Sequence, residues 1–286
     1  MALNDKLLGI VTLFYLALFF IHLIYFATKK EVVLRAIRLL LCVTFGLHSV
    51  GLAVRWVESY SPWTLASWYG VLPFPYPHGP GHAPLSNFYE SLIFYAWCIA
   101  LILLLMKKGL RVPLITMLAT LAALFFMGYA SLSPSVDRHI SPLIPALQSN
   151  WLHVHVFTCF IAYASFAVSF LCGLLYMLKP KGIQAGKLEE INYQSVVVGF
   201  PMLTAGILTG AVWAHYAWGS YWSWDPKETW SLITWIVYAL FLHARFTRGW
   251  KGRRIALLSI IGFMSVIFTY LGVNFILAGL HSYGAA

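Results

Sequence analysis

The segment WGSYWSWDPKETWSLITW, residues 218–235, places five tryptophans in one short connection between two strongly apolar runs. Tryptophan is enriched at membrane–water interfaces, but interfacial anchors usually come as one or two per helix end. Five together predict a membrane-surface aromatic platform for a flat apolar partner, and a haem macrocycle fits that description. Residues 215–230 are therefore interpreted as a tryptophan-rich loop.

The same segment contains the start signal of a helix. Asp225 is placed as an N-cap, Pro226 as the first helical residue and Glu228 as the third, which is a capping-box pattern. Asp225 and Glu228 are therefore expected to act chiefly as caps. Trp230 and Trp235 are expected to be interfacial anchors or packing residues. The remaining residues are the candidates for haem contact, namely Trp218, Trp222, Trp224 and, through the shape of the loop, Asp225.

The composition indicates that this chain is embedded in a lipid membrane. Of its 286 residues, 60% are hydrophobic and 10% are charged, and the mean hydropathy is +0.78. Such a chain predicts an all-α integral membrane protein with about eight transmembrane helices, forming a single polytopic membrane domain over residues 1–286. The expected spans are Leu7–Ala27, Val33–Val54, Phe88–Met106, Val112–Ala130, Leu152–Leu178, Ser195–Ala214, Glu228–Arg245 and Ile255–Ala278.

The basic residues are unevenly distributed among the connections between the spans. The net charge is +10, yet most of the 19 lysines and arginines lie in alternate connections, which fits the positive-inside rule better than a nucleic-acid partner. These basic connections are assigned to the cytoplasm, so both termini and the tryptophan-rich loop are expected on the outer face. The exceptions on the outer side are Lys6, Arg55, Arg138 and Lys227. The four cysteines fall inside spans without a Cys-x-x-Cys pair and are interpreted as packing residues.

Three of the ten histidines lie well inside the expected spans, away from the outer interface, where an imidazole needs a partner or a ligand role. They are His22, His48 and His243. His243 follows Glu228 by 15 residues, roughly 22 Å along a helix, which places it toward the cytoplasmic side at a depth similar to that of His22. Each of the three could instead form a hydrogen bond to a neighbouring helix. Near the outer face, His153 and His155 lie two apart on a helix, so at most one faces a given pocket.

Four segments resemble a known family more specifically than these patterns do. They are WGSYWSWDPKETW at 218–230, PALQSNWLHVHV at 145–156, GVNFILAGLHSYG at 272–284 and PLSNFYESLIF at 84–94. Together they resemble the CcsA (ResC) family of System II cytochrome c biogenesis, and the tryptophan segment resembles the WWD motif of the haem-handling superfamily.

The resemblance implies a set of ligands and partners. His155 and His281 would be axial ligands of an external haem b on the tryptophan loop. His243 would be one ligand of a haem within the membrane, with the second supplied by a companion protein, CcsB (ResB). Apart from the resemblance, His22 is an in-chain alternative for that second ligand on depth alone. His153 and His215 are departures from the family pattern and add spare imidazoles near the outer site.

The resemblance also implies a function. The chain would be a component of a cytochrome c haem lyase (synthase) that transports haem and presents it for thioether attachment to the Cys-x-x-Cys-His motif of an apocytochrome c. The membrane would be a bacterial inner (plasma) membrane or a thylakoid, with the active face periplasmic or lumenal. Three alternatives stay open: a b-type electron-transfer membrane cytochrome, a haem-delivery protein of the same superfamily, and a transporter or scaffold without haem.

Overall fold

The structure is a computed structural model that describes residues 2–60, 81–106, 112–141, 143, 145–179 and 183–277, without the side chains at 274 and 275. Within these ranges every regular element is a helix and no strand occurs. The helices are α1 (Leu3–Thr28), α2 (Glu31–Glu58), α3 (Phe88–Leu105), α4 (Pro113–Leu132), α5 (Asn150–Leu178), α6 (Ala185–Trp218), α7 (Pro226–Phe246), α8 (Arg253–Ile267) and α9 (Val273–Ile276). A short 3-10 helix covers Pro145–Leu147, and a π-helix covers Phe268–Gly272 between α8 and α9.

Seven helices in the described ranges are long and apolar enough to cross a membrane. They are α1 to α6 and the continuous stretch Arg253–Gly272. The all-helical membrane fold predicted from the sequence is confirmed. The remaining expected span, Glu228–Arg245, does form a helix, α7, but it is not among the seven because polar and aromatic side chains lower its hydropathy.

Helix α1 shows why these segments pack as membrane helices. Its buried residues recur at intervals of three and four, which confines them to one face of the helix: Asn4, Leu8, Val11, Tyr15, Leu18 and His22. Large apolar side chains on the other faces remain exposed, among them Leu13 and Phe20. A helix that exposes leucine and phenylalanine while burying asparagine and histidine has the arrangement expected in lipid, because lipid tails are as apolar as leucine.

The chain forms two compact units. Unit 1 contains Met1–Leu104 and Thr120–Gln148, and unit 2 contains Leu105–Ala119 and Ser149–Ala286. The capping of α1 belongs to unit 1 and comes from α2, because the backbone N–H groups of Leu3 and Asn4 donate to Oε1 of Glu58 at 3.0 and 3.3 Å.

A buried polar cluster stabilises unit 1. The Arg55 Nε–H donates to Oε1 of Glu90 at 2.9 Å, and its Nη1 donates to the Arg138 carbonyl at 3.1 Å and to Oδ1 of Asn4 at 3.3 Å. The other carboxylate oxygen of Glu90 accepts hydrogen bonds from the backbone N–H and hydroxyl of Ser86, both at 2.8 Å. Since both charges are almost fully buried, this pairing is what makes their burial tolerable.

A polar chain also links three helices of unit 2. The Ser169 hydroxyl on α5 donates to Oδ1 of Asn192 on α6 at 2.6 Å, and Nδ2 of Asn192 donates to the Ser259 hydroxyl on α8 at 3.2 Å. All three side chains are buried. Small hydroxyl residues let the helices approach closely while their polar atoms remain satisfied.

Two elements differ from the sequence-based expectation. Helix α6 begins at Ala185 rather than Ser195, because Glu189 stabilises its early turns by accepting the Gly252 N–H at 3.1 Å and pairing with Arg245 at 3.7 Å. The last expected span is one apolar run, yet it contains the π-helix Phe268–Gly272. Tertiary contacts of this turn fix it in place, since the Phe268 ring lies 4.1 Å from the ring of Trp230.

Candidate functional site

The turn that follows α6 is built by carboxylates. Oε2 of Glu228 accepts the backbone N–H groups of Ser223 at 2.7 Å and of Asp225 at 3.2 Å, while Oδ1 of Asp225 accepts the Lys227 N–H at 2.9 Å. Asp225 and Glu228 are both buried. The capping box predicted for the start of α7 is therefore confirmed, and it also folds the preceding loop back on the helix.

The tryptophans of the loop differ in exposure. Helix α6 ends at Trp218 with Gly219 at φ +80°, so the predicted loop 215–230 contains the last turn of α6 and the first turn of α7. Trp218 and Trp222 are partly buried. Trp224 is 67% exposed and adopts φ +59°, a left-handed conformation that is uncommon for a bulky residue. The Trp222 and Trp224 rings meet edge to face at 5.7 Å, so the loop presents an aromatic surface outward.

The His155 imidazole is fixed in orientation by α6. Its Nδ1 lies 2.7 Å from the Gly206 carbonyl oxygen, and because a carbonyl can only accept, Nδ1 carries the hydrogen in the neutral ring. The lone pair of that tautomer is then on Nε2. Histidines that bind metals through Nε2 commonly donate Nδ1–H to a carbonyl in this way.

Trp213 connects His155 to the loop. Its ring stacks on the imidazole with centroids 5.9 Å apart and an angle of 18°, and it meets the Trp218 ring edge to face at 4.9 Å. The sequence pattern did not single out Trp213, because it lies within the apolar run of α6 rather than in the loop. The available signal was its place in the sequence: Trp213 lies three residues before Tyr216 and five before Trp218, at the same end of one helix.

The spare imidazoles are placed differently from His155. The His215 ring is exposed and stacks on Tyr221 with centroids 4.3 Å apart and an angle of 3°. His153 is partly buried on α5. Of these three, His155 is the histidine that the described contacts hold against α6 and Trp213.

Trp230 and Trp235 pack within unit 2. Trp230 contacts Phe268, and the Trp235 Nε1–H donates to the Thr204 hydroxyl at 2.9 Å while its ring lies 5.2 Å from that of Phe200. These contacts agree with the packing role expected for both. They separate the two residues from Trp218, Trp222 and Trp224.

Lys227 brings a positive charge to the start of α7. Burial lowers the pKa of its ammonium group to about 8, although the negative charge of Asp225 acts in the opposite direction. The side chain is partly buried. The ammonium group therefore lies in a weakly solvated environment next to the aromatic loop.

The histidines of the expected spans fall into two environments. His243 is exposed near the end of α7, with Nδ1 3.4 Å from the Thr247 hydroxyl. His22 is fully buried in unit 1 and donates Nδ1–H to the Leu18 carbonyl at 2.7 Å. His48 is also fully buried in unit 1, with Nδ1 3.3 Å from the Tyr15 hydroxyl. His281 lies outside the described residues.

The fixed imidazole of His155 is the kind of ligand that haem iron takes from a protein. Within the described ranges no group of three or more His, Cys, Asp or Glu side chains is placed to hold a metal ion. Haem iron needs only axial ligands from the protein, and neutral histidine is one of the usual ones. The tautomer of His155 and the adjoining aromatic surface fit that requirement.

Fold and site together define a polytopic helical membrane protein with an aromatic platform beside a fixed imidazole. Residues 85–281 match the family model described as Cytochrome C assembly protein, and the chain belongs to that family, within its CcsA group. Membership implies a role in cytochrome c maturation and, with it, the handling of haem.

Similar proteins come from algae and cyanobacteria. The chain is 47% identical over 217 residues to the Chlamydomonas reinhardtii protein "Cytochrome c biogenesis protein CcsA", covering 71% of this chain and 62% of that protein. It is 36% identical over 306 residues to the protein of the same title from Parasynechococcus marenigrum (strain WH8102), covering 95% of this chain and 93% of that protein. These relatives and the apolar helices indicate an integral membrane protein.

A solved structure titled "Cytochrome c Heme Lyase CcmF" shares the fold. The TM-score is 0.68 at 18% sequence identity, over 95% of this chain and 47% of that one. At this identity the likeness concerns the fold alone.

Proposed function

We propose that this chain is the haem-presenting component of a cytochrome c synthase. The observation that carries the proposal is the placement of His155 in unit 2. Its Nδ1–H is held by the Gly206 carbonyl and its ring stacks on Trp213, which leads directly to Trp218 and the exposed loop. A ligand and an aromatic surface for one macrocycle are thus joined by contacts rather than by sequence spacing.

The external site in this proposal holds haem b between two imidazoles. His155 supplies one axial ligand and His281 the other. Trp218, Trp222 and Trp224 form the apolar bed, and indole rings suit the face of a porphyrin because both are flat and apolar. Asp225 acts through the shape of the loop, which its hydrogen bond to the Lys227 N–H supports.

A second haem is proposed at the opposite end of α7. His243 is exposed near the end of that helix and would supply one axial ligand. The other would come from a companion of the CcsB/ResB type, and exposure of His243 supports a ligand shared with a partner. The fully buried ring of His22 is less accessible to such a haem. Haem would pass from the His243 site to the external site.

The reaction at the external site forms two thioethers. The two cysteine thiols of an apocytochrome c Cys-x-x-Cys-His motif each add across one haem vinyl group. A sulfur–carbon bond forms, the thiol proton goes to the neighbouring vinyl carbon, and nothing is oxidised or reduced. The reactive cysteines belong to the substrate, so the work of this chain is orientation and exclusion of water. One axial histidine must yield to the histidine of the incoming motif.

Exposure of Trp224 favours presentation over electron transfer. A b-type electron-transfer subunit needs its haems enclosed and has no need of an outward aromatic surface, whereas a synthase must offer haem to a second protein. In this proposal residues 1–286 act as a single polytopic membrane domain with the platform and both termini on the outer face. That face is periplasmic in a bacterial membrane and lumenal in a thylakoid.

The test is the haem content and reduced absorption spectrum of the purified chain, co-expressed with its companion. Wild type is compared with His155→Ala, His281→Ala and His243→Ala. We expect the first two variants to lose the external haem and the third to lose a spectrally distinct haem, with added imidazole restoring each. Full haem in all three variants, or none in the wild type, would remove the ligand assignments.

A further inference from the structure

Two glycines on α6 face α5 one helical turn apart, and they have different neighbours. A Cβ atom added at Gly206 would lie 2.5 Å from Sγ of Cys159, so Gly206 permits the close approach of α5 at that turn. A Cβ atom at Gly210 would lie 2.5 Å from Nδ1 and 2.7 Å from Cε1 of His155. The backbone at Gly210 therefore packs directly against the imidazole ring of His155.

The missing side chain at Gly210 exposes a backbone acceptor. In an α-helix the Cα–Cβ bond tilts toward the N-terminus, so the side chain at position 210 would cover the carbonyl one turn earlier, at Gly206. That carbonyl is the one to which the His155 Nδ1–H donates. A methyl group at 210 would occupy the space through which the ring reaches it.

The next turn of α6 supplies the second contact of the ring. Trp213 is three residues after Gly210 and is buried, and its indole stacks on the imidazole. The ring of His155 thus has its Nδ1 edge fixed by a carbonyl and one face fixed by an indole. Both contacts depend on the ring lying directly on the surface of α6.

We infer that Gly210 is a positioning residue for His155: by leaving the surface of α6 bare, it lets the imidazole bond to the Gly206 carbonyl and so sets the tautomer, orientation and donor strength of the ring. The inference rests on the proposed role of His155 as a haem ligand. An imidazole whose N–H is held by a carbonyl is a stronger electron donor to iron. Stronger donation favours the oxidised iron and lowers the reduction potential.

The experiment compares Gly210→Ala with Gly186→Ala in the full chain purified with its companion. Gly186 is a matched control, because it lies on the same helix and an added Cβ meets nothing within 4 Å. The readouts are haem content, reduced spectrum and the midpoint potential of the external haem. For Gly210→Ala we expect retention of that haem to fall roughly 10-fold, the usual lower cost of losing an outer partner of a ligand, and the remainder to show a higher potential. Gly186→Ala should match the wild type.

Failure of this inference can be told from failure of the proposed function. If His155→Ala loses the external haem while Gly210→Ala keeps wild-type content and potential, the positioning role is wrong and the ligand role stands. If His155→Ala keeps the external haem, the ligand role is itself wrong.

A second comparison remains decisive even if Gly210→Ala does not fold. The double variant His155→Ala with Gly210→Ala has room for the methyl group, because the imidazole is gone. Added imidazole should then restore less external haem in the double variant than in His155→Ala alone, since the methyl group occupies its place. Equal restoration in the two would overturn the inference.

Discussion

Units 1 and 2 use buried carboxylates for different ends. In unit 1 the Glu90 carboxylate is paired with Arg55, and both side chains are 1% exposed, so the ion pair is enclosed within the unit. In unit 2 the buried Glu228 carboxylate accepts backbone N–H groups of a loop whose Trp224 is 67% exposed. The ion pair of unit 1 stabilises the interior, whereas the Glu228 carboxylate of unit 2 fixes a loop that places the Trp224 ring at the surface.

This difference suggests where each kind of substitution should act. A buried ion pair adds little over well-packed apolar residues, but removal of one partner leaves an uncompensated charge. Trp224 is largely exposed and so contributes little to packing, and in the proposed function it contacts haem. Variants in unit 1 should therefore change stability, and variants in the loop of unit 2 should change haem retention.

The largest effect is expected in the ion pair of unit 1. Arg55→Leu and Glu90→Leu should each lower the free energy of unfolding by about 3–5 kcal/mol, because each leaves a buried charge without its partner. The double variant should lose less than the sum of the two. Denaturant unfolding in detergent measures all three. Additive losses in the double variant would contradict the pairing as the dominant contribution.

A smaller effect is expected at the cap of α7. Asp225→Ala should lower the free energy of unfolding by about 1 kcal/mol through loss of the bond from the Lys227 N–H. Asp225→Asn is the matched control, since asparagine caps equally well and removes only the charge. External haem retention should fall in the alanine variant and persist in the asparagine variant. Equal haem loss in both would instead assign a direct role to the charge of Asp225.

Lys227 should give unit 2 a measurable pH dependence. Its pKa is about 8 in the folded chain against an ordinary value of 10.5, so the folded state binds fewer protons between these values and stability contributed by this group rises with pH there. Lys227→Met removes that rise. The stability advantage of the variant over the wild type should be largest below pH 8 and should shrink toward pH 10.5. A difference between the two melting curves that does not vary with pH would show that this lysine is not desolvated.

The smallest effect on stability is expected at the exposed tryptophan. Trp224→Ser should change the free energy of unfolding by no more than about 0.5 kcal/mol, because its ring is largely exposed. External haem retention should nevertheless fall. Trp56→Ser is the control in unit 1, where the ring is 48% exposed and no haem site is proposed. Equal haem content in the two variants would remove the loop as a haem surface.

The sequence predicted those features that depend on local pattern. Apolar runs gave the helices, and the spacing of Asp225, Pro226 and Glu228 gave the capping box, because capping involves neighbours within one turn. Helix α6 begins before the apolar span predicted from Ser195, because hydropathy reports burial in lipid, whereas a helix can continue beyond it through bonds such as that of Glu189.

Features that depend on contacts between distant residues were not predictable from pattern. The bond from His155 to Gly206 joins residues 51 apart, and the pair Arg55 and Glu90 is 35 apart. The sequence does not single out Trp213, because an aromatic residue inside an apolar run looks like any other packing residue. Two glycines four residues apart, such as Gly206 and Gly210, are typical of a close helix contact, but their spacing does not indicate which side chain of the neighbouring helix lies against them.

The Glu228 carboxylate fixes the loop amides of Ser223 and Asp225 through hydrogen bonds within the chain itself. Conformational entropy of the loop is therefore lost when the chain folds and not when a ligand arrives, so binding requires no ordering step. For the same reason, dissociation of a ligand requires no unfolding of the loop. The residence time of the ligand then depends only on its contacts with the protein. Under the proposed function, a preformed loop surface would leave the retention and the release of haem to be set by the exchange of one axial histidine.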